Sequence, residues 1–259
     1  MRKKFDCYHG TPITGTLKTD KCREEASVSS LFGVEYKRKS HATEKVFETY
    51  MKDRNVLIPF LNHSDLKRAK RVCNKIILDN SAFTAHTQGV VIDWNDYYDW
   101  VAKHEDRIEW FIIPDVIDGT EEENDKLIRD YHNTNLTKGY PVWHLNESLE
   151  RLKRLADNYD LVCFGSSGEF WDLKSEAWRG RVTKALEAIS IDGIPITQIH
   201  MLRCLDINIF PNYPFDSGDS TNFAQNHHKH TSRGKYPYPM LRCESYDTPK
   251  KISVSRKLF

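Results

Sequence analysis

With 259 residues, 39% of them apolar, and a formal charge of +1, the chain can bury one sizeable core and carries no global field that would select a charged partner. Twelve Phe, twelve Tyr and six Trp argue against general disorder, and no apolar stretch approaches the ~20 residues a bilayer crossing needs. The six cysteines, Cys7, Cys22, Cys73, Cys163, Cys204 and Cys243, include no Cys-x-x-Cys pair, and no apolar segment follows Met1-Arg2-Lys3-Lys4. Both features predict a cytoplasmic, reduced protein without a disulfide framework or membrane partner.

Predicted strands and helices alternate along the chain. Val56 to Phe60 reads as a strand, Asp65 to Cys73 as a short helix and Lys75 to Leu78 as the next strand. From Asp93 to His104, Trp94, Tyr97, Tyr98 and Val101 recur at helical spacing with Asp93 placed as the cap. Trp110 to Pro114 is a strand, and Glu121 to Tyr131 a helix whose first turn carries three glutamates, the favourable sign for that end of its dipole. Tyr140 to His144 precedes a helix from Glu147 to Asn158 with Leu149, Leu152 and Leu155 on one stripe. Leu161 to Phe164 is followed by a helix from Ala177 to Ile189, Ile196 to Leu202 by a loop and a last strand segment from Pro214 to Asp219. From about Asn226 to Phe259 the chain turns basic and aromatic without periodicity, which predicts a loop or tail. Repeated units of this length predict a single α/β domain over residues 1–259, a (β/α)8 TIM-like barrel, with an open doubly wound sheet as the alternative.

Five apolar runs end on chemically capable residues. Asp79 closes Ile76-Ile77-Leu78, Asp115 closes Phe111-Ile112-Ile113-Pro114, and His144 closes Pro141-Val142-Trp143. Gly165-Ser166-Ser167 close Leu161-Val162-Cys163-Phe164, and Asp219 follows Tyr213-Pro214-Phe215. On parallel strands these tips gather at one rim, where α/β folds bind ligands. Taken alone, each has a plainer reading as a helix cap, a turn residue or a buried histidine. Asp118, in Val116-Ile117-Asp118-Gly119, reads as a turn residue.

The motif Leu78-Asp79-Asn80-Ser81-Ala82-Phe83 resembles the Asp-Ser-Gly-Gly-Phe or Asp-Ser-Gly-Ala-Phe stretch of the tRNA-guanine transglycosylase superfamily. The likeness continues, in order, through Ile113-Pro114-Asp115, Phe164-Gly165-Ser166-Ser167-Gly168-Glu169 and Pro214-Phe215-Asp216-Ser217-Gly218-Asp219-Ser220-Thr221-Asn222. The last is more similar to the Asp-Ser-Thr motif of phage and bacterial relatives that insert 7-deazaguanine bases into DNA. The series covers about two thirds of the chain. It departs from the tRNA enzymes in lacking their cysteine-rich zinc subdomain, in carrying His144 where they read the base with glutamine, and in lacking a long RNA-binding extension.

This resemblance implies a transglycosylase-like barrel that attacks the N-glycosidic bond of a base in DNA, by excision or by exchange with a free deazapurine, with no cofactor or metal. It implies Asp79 as general acid/base and Asp219 as nucleophile or oxocarbenium stabiliser, with Asp216 as the rival for that second role. Asp115 and His144 are the expected base readers, Gly165, Ser166 and Ser167 the floor, and Phe83, Trp143 and Phe170 the candidates to sandwich an extruded base. Arg203, Asn222, His228, Lys229 and Arg233 are expected on the nucleic-acid backbone, the basic loop extending to Lys235 and Arg242 with Tyr236 and Tyr238 interleaved. A metal site from His227, His228 and His230 is the weaker reading of that loop. Lys37-Arg38-Lys39, Lys67-Arg68 and Lys70-Arg71 are second-tier phosphate contacts. Activity on tRNA, a catalytically silent nucleic-acid-binding subunit, and an unrelated barrel hydrolase stand as alternatives.

Overall fold

A computed structural model describes residues 1–13, 28–31, 34–37, 42–226 and 239–252. Nine strands form one sheet: β1 (Asp6–Gly10), β2 (Asn55–Pro59), β3 (Ile76–Asp79), β4 (Trp110–Ile112), β5 (Gly139–Tyr140), β6 (Val142–His144), β7 (Leu161–Gly165), β8 (Gln198–Met201) and β9 (Ser217–Ser220). Their order is β5-β4-β3-β2-β1-β9-β8-β7-β6, and each neighbouring pair is parallel. The two end strands are consecutive in the chain, separated by Pro141 alone. One extended stretch therefore pairs with β4 through its first half and with β7 through its second, and the sheet curls into a nearly closed barrel.

Side-chain alternation sorts the core into layers. Tyr8, Leu57, Ile77, Trp110, Ile112, Val142, Leu161 and Cys163 form one buried cluster, contributed by six strands and filling the barrel interior. The intervening residues point outward into two further clusters. One joins Val56, Ile58, Ile76, Leu78 and Phe111 to Phe47, Tyr97 and Val101 of the outer helices. The other joins Val162, Phe164, Ile199 and Trp143 to Leu152, Leu155, Trp178 and Val182.

The helices follow their sequence signals. α1 (Glu44–Met51), α2 (Leu66–Val72), α3 (Ala82–Gln88), α4 (Trp94–Ala102), α5 (Glu121–His132), α6 (Leu149–Asn158), α7 (Glu176–Ala188) and α8 (Asn222–Asn226) lie between or after the strands. The Asp93 side chain caps α4 by accepting from the Asn95 amide. Thr120 and Glu123 close a reciprocal capping box at the acidic start of α5. Ser148, not Glu147, caps α6, because Glu147 turns inward to bind the His144 amide and Arg151.

Several expectations need correction. β1 was not anticipated, because Asp6 and His9 interrupt its apolar pattern. The last strand begins at Ser217 rather than Pro214 and runs one residue past Asp219, to Ser220. The C-terminal segment is not wholly irregular: Thr248–Pro249 pairs antiparallel with Arg2–Lys3, and Cys243 is buried. Among the described residues, no helix is long and apolar enough to cross a membrane.

Candidate active site

The inward-facing positions at the strand ends carry Asp79, His144, Gly165 and Asp219 on β3, β6, β7 and β9. Period-two alternation puts them one layer above the apolar plug, since Ile77, Val142 and Cys163 lie two residues earlier on the same face. Asp79, Asn80, Phe83, Asp115, His144, Gly165, Ser166, Ser167, Leu202 and Arg203 line one pocket there. Seven of the expected site residues, Asp79, Phe83, Asp115, His144, Gly165, Ser166 and Ser167, therefore meet around a single opening, together with Arg203, while Asp219 lies beside Asp79 outside its lining.

Two acids are held in matching ways. After Asp79 the chain turns sharply into α3, with Ser81 in the left-handed region at φ 65°, and the Ser81 amide donates to Asp79 Oδ2 at 3.0 Å. After β8 the chain turns again with Arg203 at φ 61°, and its amide donates to Asp219 Oδ1 at 2.9 Å. Left-handed backbone costs a non-glycine residue of order 1 kcal/mol or more, so in each turn local strain aims a peptide N–H at a carboxyl oxygen. His200 Nε2 lies 3.3 Å from the same Asp219 Oδ1, and His200 Nδ1 is 2.8 Å from Ser217 Oγ.

Electrostatics separates the acids. Burial, then the neighbouring Asp219 and Asp115, push the Asp79 carboxyl up to about 7 against the opposing pull of Ser81. The same three acids, after burial, hold the Cys163 thiol beneath them well above its ordinary value. Burial disfavours a charged His144, but contact with Asp115 and the nearby Glu147 outweigh it, so its pKa is raised.

Asp115 and His144 form a fixed pair. Asp115 Oδ2 is 2.9 Å from His144 Nε2, and Asp115 Oδ1 accepts from Asn80 Nδ2 at 2.7 Å. Behind them, Glu147 Oε2 accepts from the His144 amide at 2.8 Å and from Arg151 Nη1 at 2.6 Å, while Asn124 donates to Glu147 Oε1 at 3.0 Å. Gly165 makes room for the imidazole, since a Cβ there would stand 2.8 Å from His144 Nδ1. The loop after it turns at Gly168, φ 54°, and the Ser166 hydroxyl is committed to Trp178 Nε1 at 2.9 Å, leaving backbone as the floor.

At the mouth, the Arg203 guanidinium lies 4.5 Å from the centre of the half-exposed Phe83 ring and makes no ion pair among the described residues. Both side chains line the pocket, whose free space is about 50 Å³. Arg203 also borders a cavity of about 350 Å³ lined by His9, Ser220 and Asn222.

Other expected residues lie elsewhere. Asp216 sits at the opposite end of β9, bonded to Lys3 at 2.7 Å and to the Ile199 amide at 3.0 Å, so it is a structural anchor of the far rim. Trp143 points outward, fully buried against Phe164 and under Arg181, and cannot sandwich a base. Phe170 packs against the same outer cluster. Arg68 is buried on Asp65 and the Ala42 carbonyl, and Arg71 bonds Glu44, so neither is a free phosphate contact. His227, His228, Lys229, His230, Arg233, Lys235, Tyr236, Tyr238, Arg38 and Lys39 lie outside the described residues, as does the side chain of Lys37. Among the described residues, no group of three His, Cys, Asp or Glu side chains is arranged to hold a metal ion.

His200 was missed by sequence reasoning. A lone histidine in Gln198-Ile199-His200-Met201 carries no motif, and only strand parity, two residues before the pocket-lining Leu202, would have marked it as inward-facing. Comparison with protein-family models, curated proteins and solved structures finds no match to this chain.

Proposed function

We propose that this protein cleaves the N-glycosidic bond of a base in DNA, releasing the base or exchanging it for a free deazapurine. The observation that carries the reading is Asp79, held at about 7 by burial and by the nearby Asp219 and Asp115, in a pocket it lines together with the Asp115–His144 pair. A purine-like base offers a polar edge for that pair and a nitrogen that must leave protonated.

The step balances with these groups alone. Asp219 Oδ2 forms a bond to the anomeric carbon as the carbon–nitrogen bond breaks, or shields the oxocarbenium charge there. The electron pair leaves with the base nitrogen, which takes the proton from Asp79. Water, activated by the now ionised Asp79, then gives an abasic site, whereas an incoming base at the same place gives exchange. A carboxyl near 7 suits both halves of that cycle, because it gives and takes a proton at neutral pH.

A base within a duplex hides this bond, so the nucleotide is extruded into the pocket at a cost of a few kcal/mol. Entry requires Arg203 to swing off Phe83, which frees one base face for stacking and the guanidinium for a flanking phosphate beside Asn222. Ser81 occupies the position where the resembled motif has glycine, and it holds the left-handed backbone that glycine favours. That coincidence supports the resemblance at its first motif.

The test is incubation with modified and unmodified duplex DNA, with and without a free deazapurine, followed by assay for abasic sites and for incorporated base. Formation of either product on DNA is the expected result. Absence of both on DNA, with activity on tRNA, would move the substrate to RNA. Absence on both nucleic acids would end the reading.

A further inference from the structure

We propose that His200 is a positioning residue for Asp219, acting through a Ser217–His200–Asp219 relay that leaves one carboxyl oxygen free to react. The inference rests on the reading of Asp219 as nucleophile or ion stabiliser and adds a residue that no motif in the chain marks.

His200 is fully buried inside the barrel. Its ring is packed edge-on against Trp110 at 5.0 Å and Tyr8 at 6.0 Å, which fixes the plane of the imidazole. Each ring nitrogen faces one partner on the neighbouring strand β9: Nδ1 the Ser217 hydroxyl at 2.8 Å, Nε2 the Asp219 Oδ1 at 3.3 Å. In the Nε2–H tautomer, Nε2 donates to the Asp219 carboxyl and Nδ1 accepts from the Ser217 hydroxyl, so both contacts are made as hydrogen bonds, and this is the tautomer the relay takes. Ser217 therefore selects the tautomer, in the way a second partner commonly sets which nitrogen of a histidine is protonated.

Both N–H donors to Asp219, from His200 and from the Arg203 amide, fall on Oδ1. Among the described residues no hydrogen bond reaches Oδ2, although Asp219 is 6% exposed. Two donors on one oxygen fix the carboxyl's rotation and mark the other as the reacting atom. In a glycosyl ester formed through Oδ2, Oδ1 is the carbonyl oxygen, and charge returns to it when the ester breaks. The donors are in place for that return without any reorganisation.

The experiment uses variants of the full chain that separate the two ring nitrogens. A glutamine amide reaches the place of Nε2, and an asparagine amide that of Nδ1. On a duplex oligonucleotide carrying one 7-deazaguanine, His200→Asn is expected to lower single-turnover base release by roughly 10- to 100-fold with DNA affinity unchanged. His200→Gln should recover most of that loss, and Ser217→Ala should fall between. Nitrogen-15 NMR of the imidazoles should show His200 as the neutral Nε2–H tautomer, shifting in Ser217→Ala and in Asp219→Asn. Equal rates in His200→Asn and His200→Gln, with thermal stability reduced in both, would make His200 a core residue and overturn the inference. If the wild type releases no base, the proposed function falls, and so does the catalytic part of the relay. An Nδ1–H tautomer would overturn the relay itself, whatever the activity.

Discussion

The two rims of the barrel use the same residue type to opposite ends. At the N-terminal rim Asp6 and Asp216 each meet a lysine at 2.7 Å, Lys75 and Lys3, so charge is neutralised pair by pair. At the C-terminal rim Asp219 and Asp115 stand close enough to Asp79 to raise its proton affinity, with no lysine lining the pocket that Asp79 and Asp115 share. A carboxyl with a partner holds a fold together; a carboxyl crowded by its own kind holds a proton that it can give away.

The sharpest way to break this contrast is to make the same change at both rims. Asp219→Asn should cost about ten-thousand-fold in base release. Asp216→Asn should leave release within a few-fold and lower stability by about 1 kcal/mol in denaturant titration. If the two variants lose activity equally, the division between the rims is wrong.

Asp79 allows a test through pH. As general acid it must hold its proton, so release should fall about tenfold per pH unit above about 7, and Asp79→Asn should lower the rate roughly 100- to 10,000-fold and flatten that limb. The same substitution should raise stability at high pH. An acid whose folded value lies above its ordinary 3.8 binds the proton more tightly folded than unfolded. Folding stability therefore declines as pH rises from about 4 to 7, and Asp79→Asn should be more stable than wild type at pH 8 by up to about 4 kcal/mol, the difference vanishing near pH 4. Urea titrations at the two pH values would show it, and a variant less stable at pH 8 would contradict the crowding of acids.

Smaller effects test how the pocket is shaped. Gly165→Ala pushes a methyl against His144 Nδ1, and should cost about 1–3 kcal/mol of stability and raise KM more than it lowers kcat. Phe83→Ala should weaken DNA binding only about threefold to fivefold with the fold intact, since its ring is half-exposed under Arg203. A large stability loss there would mean that Phe83 belongs to the core.

Most of this rim was legible in the sequence, because an apolar run that ends in Asp79, His144 or Gly165 declares both the strand and its tip. What escaped shares a physical cause. β1 mixes Asp6 and His9 with Cys7 and Tyr8, since one face fills the barrel while the strand start meets Lys75 at the rim. Trp143 and His144 are adjacent and equally buried, yet strand parity sends one to the outer core and the other to the pocket. Asp216 and Asp219 are three residues apart, which in an extended strand means opposite faces and opposite ends of the barrel. Parity is invisible until register is known, and a one-residue shift exchanges every assignment.

The stretch Gly139–His144 divides more than the sheet. The two outer clusters fall largely on either side of it, one built mainly from residues before it and the other mainly from residues at or after it. Asp79 and Asp115 come from the first half-barrel, Gly165, Arg203 and Asp219 from the second, and His144 from the seam. Neither half carries all of these residues, and the two halves meet twice, at this stretch and at the β1–β9 pairing. A chain opened at Pro141 should therefore stay joined through β1–β9 and keep Asp79 near Asp219, while losing the seam across which His144 meets Asp115.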